Sequence, residues 1–262
     1  MRGTSPELFH VQVNHRRLRC AAWRRDGAWR RDRPVLVFLH EGLGCIEMWR
    51  DFPARLAASL DLDAFAWDRL GYGGSDPLER SRTPAYLHEE AHEWMPAVLE
   101  AAGIEDAVLV GHSDGGSIAL LYAARHRVSA CITMAAHAFV EAHTLAGIAE
   151  ARRRFANTDL RQRLARRHGG KTDTVFHAWV DTWQSPEFRD WNIEADLAGV
   201  RAPTLVLQGE DDEYGTPDQV HRIAAACGGP TMTHLLPDCA HVPHREAPEA
   251  TIAAIAEFLS AH

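Results

Sequence analysis

The segment LVGHSDGGSI, residues 109–118, is the most informative part of the sequence for predicting the fold. It joins an apolar, partly β-branched run at 107–110, typical of a buried parallel strand, to a run of small residues that continues as a helical pattern. Ser113 is therefore predicted to lie at a sharp strand-to-helix turn between Gly111 and Gly115. Glycine is favoured beside such a turn because the strand and the helix approach so closely that a Cβ atom would clash. The turn predicts a strained backbone at Ser113 and a hydroxyl that stands clear of the sheet.

Strand and helix patterns alternate on both sides of this turn. The predicted strands span residues 8–13, 18–23, 35–39, 62–67, 107–110, 128–134, 204–207 and 232–236. The predicted helices span residues 48–60, 84–102, 115–124, 217–226 and 249–259. This alternation predicts an α/β fold with a mostly parallel twisted sheet and helices on both faces. Residues 139–197 have helical patterns alone, and we expect a helical cap there, inserted in a core formed by 1–138 and 198–262.

Bulk composition narrows the function classes. The chain has 262 residues and a formal net charge of -8, which argues against nucleic acid as a partner. It has no run of apolar residues of membrane-spanning length and no signal core, so we expect a cytoplasmic protein without a membrane partner. Its five cysteines include no Cys-x-x-Cys pair, which indicates reduced thiols and no zinc site. The sequence leaves the oligomeric state open, a homo-oligomer included.

Five motifs, taken in chain order, resemble the α/β-hydrolase superfamily. They are HEGLG at 40–44, DRLGYGGS at 68–75, GHSDGG at 111–116, GEDD at 209–212 and AHVPHREAP at 240–248. The resemblance implies the α/β-hydrolase fold, a small-molecule substrate, no metal and no organic cofactor. It also implies a serine, an acid and a histidine in that chain order, here Ser113, Asp212 and His241.

The chemistry explains why these three residue types are needed together. A serine hydroxyl becomes a good nucleophile when an imidazole takes its proton, and a carboxylate on the far ring nitrogen holds the imidazole in one tautomer. Each of the three candidates follows a predicted strand, and functional groups of open α/β sheets collect at those strand ends. The alternatives are Glu141, Glu210 and Asp211 for the acid, and His234 and His244 for the base.

An oxyanion formed during acyl transfer needs preorganised donors. One predicted donor is the main-chain N–H of Asp114, and the second lies in the loop after His40. The resemblance favours Gly42. Leu43 is the alternative, because this chain has Glu41 where many relatives have glycine. The carboxylates of Glu41 and Asp114 are then expected near the nucleophile. They either turn away to backbone or solvent, or form a pocket that prefers amino-acid and other cationic esters.

The helical insertion supplies further candidate substrate-binding residues. Trp179 and Trp183 are one helical turn apart and, with Glu41 and Leu43, are our candidates for lining the substrate pocket. Packing of the insertion on the core explains the two tryptophans equally well. The insertion also carries seven arginines and a lysine between residues 152 and 171. Such a run of charges is typical of a solvated helix face, and a site for a phosphate-bearing substrate is the less favoured interpretation.

One motif indicates a different class of enzyme. Residues 88–92, HEEAH, match the zinc-peptidase pattern His-Glu-x-x-His. A chance match is favoured, because the segment lies in a crossover helix and no third ligand follows at a recognised spacing. The sequence thus predicts a serine hydrolase acting on a small carboxylic ester. A C–C bond hydrolase, a thioesterase or a perhydrolase with the same triad remains open, as does a hydrolase-fold protein that only binds a ligand.

Overall fold

A computed structural model describes residues 5–25 and 27–262 of the chain. Eight strands form one sheet in the spatial order β1-β2-β4-β3-β5-β6-β7-β8. The strands are β1 Glu7–Val13, β2 Arg16–Trp23, β3 Val35–Leu39, β4 Asp63–Trp67, β5 Ala107–His112, β6 Ala130–Met134, β7 Thr204–Gly209 and β8 Thr231–Leu236. Strands β1 and β2 are antiparallel, β2 is also antiparallel to β4, and the other neighbours are parallel. The predicted hairpin is present, and Asn14 and His15 form its turn with positive φ angles.

Helices cover both faces of the sheet. They are α1 Phe52–Leu60, α2 Tyr86–Glu89, α3 Met95–Ala102, α4 Asp114–Ala123, α5 Ala142–Asn157, α6 Leu160–His168, α7 Thr172–Gln184, α8 Glu194–Leu197, α9 Pro217–Ala226, α10 Pro243–Glu246 and α11 Pro248–Ser260. Strand β3 shows why the central strands are continuously apolar. Val37 faces one buried cluster and Phe38 faces the other, so successive side chains are buried on opposite faces.

Two predicted helices are interrupted in the structure, and several other predicted elements begin or end one or two residues from their predicted bounds. The helix predicted at 48–60 is divided into a 3₁₀ turn at Ile46–Trp49 and α1, because Arg50 between them has a φ of 54°. The helix predicted at 84–102 contains a π-helical turn at Glu90–Trp94. Pro96 follows that turn and lacks an N–H donor, so the regular helical ladder is interrupted there. The strand predicted at 128–134 begins at Ala130.

The chain between β6 and β7 is largely helical and contains α5, α6, α7 and α8. It includes a single isolated β-bridge, between Phe139 and Asn192, in the described part of the chain. The division into a core and an inserted cap at 139–197 stays a prediction. No helix among residues 5–25 and 27–262 is long and apolar enough to span a membrane.

Candidate active site

The backbone at Ser113 is strained, as the flanking glycines predict. Ser113 has a φ of 53° and a ψ of -121°, and it lies between β5 and α4. A Cβ atom added at Gly111 would lie 2.3 Å from the carbonyl oxygen of Gly115, and one added at Gly115 would lie 1.9 Å from the carbonyl oxygen of Leu39. Both distances are far shorter than van der Waals contact, so this close approach of helix and strands requires glycine at the two positions.

His241 and Asp212 form a buried pair. His241 Nδ1 lies 2.8 Å from Asp212 Oδ1, which also accepts hydrogen bonds from the main-chain N–H groups of Tyr214 and Gly215 at 2.8 and 3.1 Å. Burial lowers the pKa of His241, but the charge and hydrogen bond of Asp212 outweigh it and raise the pKa above its ordinary value. Burial acts in the opposite direction on Asp212, yet the pKa of its carboxyl is lowered by His241. The pair therefore favours an ionised carboxylate and a more basic imidazole.

A cavity of about 230 Å³ brings Ser113 and His241 together. Both residues line it, although no hydrogen bond joins their side chains in the described part of the chain. Nδ1 of His241 is engaged by Asp212, which leaves Nε2 as the ring nitrogen available to a nucleophile. Apolar side chains form much of the remaining wall, among them Leu43, Met48, Ile148, Leu164, Trp179 and Trp183.

The loop after β3 forms a tight turn beside this cavity. The N–H of Gly44 donates to the carbonyl of Glu41 at 3.0 Å, so Gly42 and Leu43 occupy the two central positions. Neither central amide has a hydrogen-bond partner among the described residues. The Leu43 carbonyl accepts a hydrogen bond from His168 Nε2 at 2.9 Å. The choice between Gly42 and Leu43 as an oxyanion donor, and the role of the Asp114 amide at the start of α4, stay predictions.

The Asp114 carboxylate has two buried side-chain partners, which neither of the two sequence-based alternatives included. Asp114 Oδ2 accepts a hydrogen bond from the Tyr86 hydroxyl at 2.8 Å and lies 3.6 Å from Nη2 of the buried Arg69. The Tyr86 hydroxyl in turn accepts a hydrogen bond from Trp183 Nε1 at 2.8 Å. Asp114 lines the cavity, but its charge is balanced by a buried guanidinium, so it does not supply the free negative charge that a cation pocket requires.

Glu41 also lines the cavity, and its carboxylate turns towards a residue that sequence reasoning missed. Glu41 Oε2 lies 3.6 Å from His112 Nδ1, and a Cβ atom on Gly44 would lie 2.3 Å from the same oxygen. Burial raises the pKa of Glu41, but interactions with His112 and neighbouring histidines outweigh it and hold the pKa well below the ordinary value. Glu41 is therefore ionised and held against His112. It turns to neither backbone nor solvent.

The two tryptophans lie between the cavity and the rest of the protein, and their role in substrate binding stays a prediction. Trp179 and Trp183 line the cavity and are also packed on the rest of the protein. A Cβ atom on Gly42 would lie 2.4 Å from Trp179 Cδ1, so the indole ring is in contact with the turn after β3. Helix α7 therefore contacts this turn directly through Trp179 and contacts Asp114 indirectly through Trp183 and Tyr86.

The alternative acids and bases lie in other environments. Glu141 accepts hydrogen bonds from Thr216 and Gln219, and residues 210 and 211 are exposed. The ring of His244 packs on Trp49 with 4.6 Å between ring centroids. His234 is exposed on β8. None of these alternatives forms a histidine–carboxylate pair like that of His241 and Asp212 among the described residues.

The His-Glu-x-x-His segment does not assemble a set of metal ligands in the described part of the chain. His88 lies near Asp196, and the rings of His88 and His92 are 6.1 Å apart. One group of three potential ligands, formed by Cys45, Glu47 and Asp68, is found among the described residues. The guanidinium of Arg19 forms ion pairs with both carboxylates of that group at 2.6 Å. The charge of these two carboxylates is therefore already balanced in part by Arg19.

Comparisons with known proteins agree with this architecture. A family model described as "Alpha/beta hydrolase family" matches residues 36–254. Carboxylesterase YbfK of Bacillus subtilis (strain 168) is 34% identical over 117 residues, which are 43% of this chain and 38% of that protein. The 2-succinyl-6-hydroxy-2,4-cyclohexadiene-1-carboxylate synthase of Shigella flexneri is 23% identical over 280 residues, which cover 96% of this chain and 99% of the synthase.

Solved structures show the same fold. The crystal structure of CarC, a serine hydrolase involved in carbazole degradation, has a TM-score of 0.75 at 18% identity and covers 98% of this chain and 100% of its own. The crystal structure of YbfK has a TM-score of 0.68 at 22% identity and covers 99% of this chain and 93% of its own. The predicted fold is confirmed by these similarities and by the eight-stranded, mostly parallel sheet.

Proposed function

The chain belongs to the alpha/beta hydrolase family, and from this premise we propose that it is a serine hydrolase that cleaves a small carboxylic ester. Ser113 is the nucleophile, His241 the base and then the acid, and Asp212 the residue that orients His241. The observation that carries the proposal is the buried His241–Asp212 pair, which shares one cavity with a serine on a strained strand-to-helix turn. Carboxylesterase YbfK, a relative by sequence, has ester hydrolysis in its name.

The proposed reaction uses the free ring nitrogen of His241. Nε2 takes the proton of the Ser113 hydroxyl while Oγ attacks the ester carbonyl carbon, and Asp212 stabilises the imidazolium that forms. The carbonyl oxygen becomes an oxyanion, which the amides of Asp114 and Gly42 hold, with Leu43 as the alternative to Gly42. The imidazolium then gives its proton to the leaving alcohol. Water, activated by His241, hydrolyses the acyl-enzyme and regenerates Ser113.

The size and chemistry of the cavity favour a small, largely apolar acyl group. A cavity of about 230 Å³ with Leu43, Trp179 and Trp183 in its wall suits a short aliphatic or single-ring acyl chain. Because Arg69 and Tyr86 engage the Asp114 carboxylate, the proposal does not extend to a preference for amino-acid or other cationic esters.

A second candidate is C–C bond cleavage by the same three residues. The similarity over full length is to an enzyme whose name does not describe an esterase: the match to the Shigella flexneri synthase covers 99% of that enzyme, whereas the YbfK match covers 38% of the esterase, so a reaction other than ester hydrolysis stays open. Both reactions need a nucleophile or base beside a carbonyl and donors for a developing oxyanion. They differ in the bond that breaks, so a panel of substrates separates them.

The decisive experiment is intact-mass analysis after treatment with a fluorophosphonate probe. We expect one adduct on the native protein and none on Ser113→Ala. Circular dichroism and unfolding curves of the two proteins check that both are folded. An adduct that persists in Ser113→Ala, or a folded native protein without an adduct, would contradict an activated Ser113.

Turnover assays then separate the reaction classes. The panel contains 4-nitrophenyl esters of acetate, butyrate and benzoate, the matching thioesters and a vinylogous 1,5-diketone that releases a carboxylate on C–C cleavage. The proposal predicts the highest kcat/KM on an ester, and kcat/KM highest on the diketone would favour the second candidate.

A further inference from the structure

We propose that His112 and Glu41 form a buried imidazolium–carboxylate pair that positions His241 through its main-chain carbonyl group. The inference rests on the proposed function, because it gives these two residues a role in holding the proposed base. It assigns no contact with substrate to either side chain, so both are positioning residues. Glu41, an expected substrate-binding residue, acquires a different role.

Nε2 of His112 faces the main chain of His241. This atom lies 2.7 Å from the main-chain carbonyl oxygen of His241, a distance typical of a strong hydrogen bond. A carbonyl oxygen can only accept, so Nε2 of His112 carries the hydrogen and donates it. His112 is 1% exposed, which removes water as a competing partner.

Nδ1 of His112 lies on the opposite side of the ring and faces Glu41. Its nearest acidic neighbour is Glu41 Oε2 at 3.6 Å, and no hydrogen-bond partner for Nδ1 is found among the described residues. An ionised carboxylate is an acceptor, so a ring nitrogen with a lone pair in this position would be repelled. A hydrogen on Nδ1 converts the repulsion into an ion pair. Both ring nitrogens therefore carry hydrogen, and His112 is an imidazolium.

The other groups around His112 do not reverse this charge assignment. The ring centroids of His244, His241 and Trp49 lie 4.9, 5.1 and 6.3 Å from that of His112. Burial and His112 hold the pKa of His244 well below its ordinary value, so His244 adds no second positive charge at neutral pH. Glu41 is thus the negative group whose carboxylate lies close enough to His112 to balance it.

This pair completes a set of three contacts that fix His241. Asp212 holds Nδ1 of the ring at 2.8 Å, Glu213 Oε2 accepts a hydrogen bond from the main-chain N–H at 3.2 Å, and His112 holds the carbonyl oxygen. His112 directly precedes Ser113 in the chain, so its bond to His241 also joins the nucleophile turn to the loop of the base. A shift of either loop would change the distance across which the proton must move.

The pair also explains an unusual residue in the loop after β3. Many proteins that this sequence resembles have glycine at position 41, which provides no carboxylate for a histidine at position 112. Here the turn from Glu41 to Gly44 is held by other contacts as well. Arg69 Nη2 and His40 Nδ1 donate to the Glu41 carbonyl at 2.9 and 2.8 Å. The Glu41 backbone is therefore fixed independently of its carboxylate, so the side chain can interact with His112 without being needed to hold the turn.

The test combines nuclear magnetic resonance with kinetics on the full chain. With histidine labelled by ¹⁵N, we expect two hydrogen-bearing ring nitrogens on His112 in the native protein at neutral pH, assigned by the loss of their signals in His112→Phe. Glu41→Gln should leave one, at Nε2. His112→Phe should lower kcat by about tenfold or more with little change in KM, because it leaves a buried carbonyl without a donor. His112→Gln, which can donate to that carbonyl, should recover part of the loss.

His126→Phe is the control, because His126 is a partly buried histidine that stacks on Tyr122 away from the cavity. A single hydrogen-bearing nitrogen on native His112 would overturn the ion pair. A native kcat in His112→Phe would overturn the positioning role, and if that variant does not fold, His112→Gln and Glu41→Gln supply the kinetic comparison. Failure of the fluorophosphonate to label the native protein would instead refute the proposed function, while the ring hydrogens of His112 would still report on the ion pair.

Discussion

Replacement of Asp212 by asparagine tests the proposed role of this carboxylate directly. Asp212 Oδ1 accepts three hydrogen bonds, one from His241 and two from main-chain amides that follow it. An asparagine side chain keeps an oxygen for these donors and nearly the same volume, so the turn should keep its shape. The loss is then mainly the negative charge that stabilises the His241 imidazolium in the transition state.

The size of that loss follows from the geometry. With His241 Nδ1 and Asp212 Oδ1 at 2.8 Å, the centres of the two charges are separated by more than this closest contact. At a separation of about 4 Å and an effective dielectric constant of about 20, the attraction is about 4 kcal/mol. Loss of that energy from the transition state alone corresponds to about a thousandfold lower kcat/KM. Asp212→Asn should show this decrease in the hydrolysis of 4-nitrophenyl esters.

The pH profile distinguishes loss of charge from general damage. The reaction requires neutral His241, so kcat/KM rises with pH through the pKa of this residue. Asp212 raises the pKa of His241 against the effect of burial, and without the charge the rise should occur at lower pH. Glu141→Gln is the matched control, because Glu141 interacts with Thr216 and Gln219 and not with a histidine, and it should keep near-native kcat/KM. Near-native activity in Asp212→Asn, or a larger loss in Glu141→Gln, would refute the assignment.

Three further predictions concern stability and specificity. Gly115→Ala should lower the free energy of unfolding in urea by about 3 kcal/mol or more, because its Cβ would lie 1.9 Å from a main-chain oxygen. Gly170→Ala, with no atom within 4 Å of its Cβ, should change it by less than about 0.5 kcal/mol, and equal effects of the two substitutions would contradict the close approach of helix and strand at Gly115. Asp114→Asn should lower the free energy of unfolding, because it leaves the buried Arg69 without its carboxylate, and should reduce kcat/KM equally for neutral and α-amino esters. A loss of kcat/KM on α-amino esters alone would instead support the hypothesis of a cation pocket. Urea midpoints should fall as the pH drops below about 6.5, because burial lowers the pKa of six histidines and their neutral forms stabilise the fold above that pH. The raised pKa of His241 acts with the opposite sign, as one group against six, and a midpoint independent of pH would contradict this balance. The six histidines are His40, His92, His126, His137, His168 and His244.

Local sequence patterns were sufficient to predict the sheet and the strand-to-helix turn at Ser113, for a physical reason. Strand β5 is buried on both faces and is therefore continuously apolar, and the turn at Ser113 tolerates glycine alone at two nearby positions. Such requirements act over a few residues and leave a readable pattern. The break before α1 was missed because it depends on a positive φ at Arg50, a residue type that gives no such signal.

Long-range partners left no comparable pattern. Asp114 and Arg69 are 45 positions apart in the sequence, and His112 and His241 are 129 apart, so neither pair could be inferred from spacing. Two signals were nevertheless present. An acidic residue directly after the buried turn at Ser113 needs a buried partner, and DRLGYGGS at 68–75 contains a suitable arginine. Glu41 in place of glycine likewise required a basic neighbour, and His112 directly precedes Ser113.

Helix α7 is part of the site's construction as well as part of its wall. Trp179 rests against Gly42, and Trp183 donates through Tyr86 to Asp114, so one helix reaches both residues whose amides we propose as oxyanion donors. The two tryptophans are four positions apart and therefore project from the same side of the helix. A movement of α7 away from the sheet would release both contacts together. Helix α7 therefore contributes one contact, directly or through Tyr86, to each of the two residues whose amides we propose as donors.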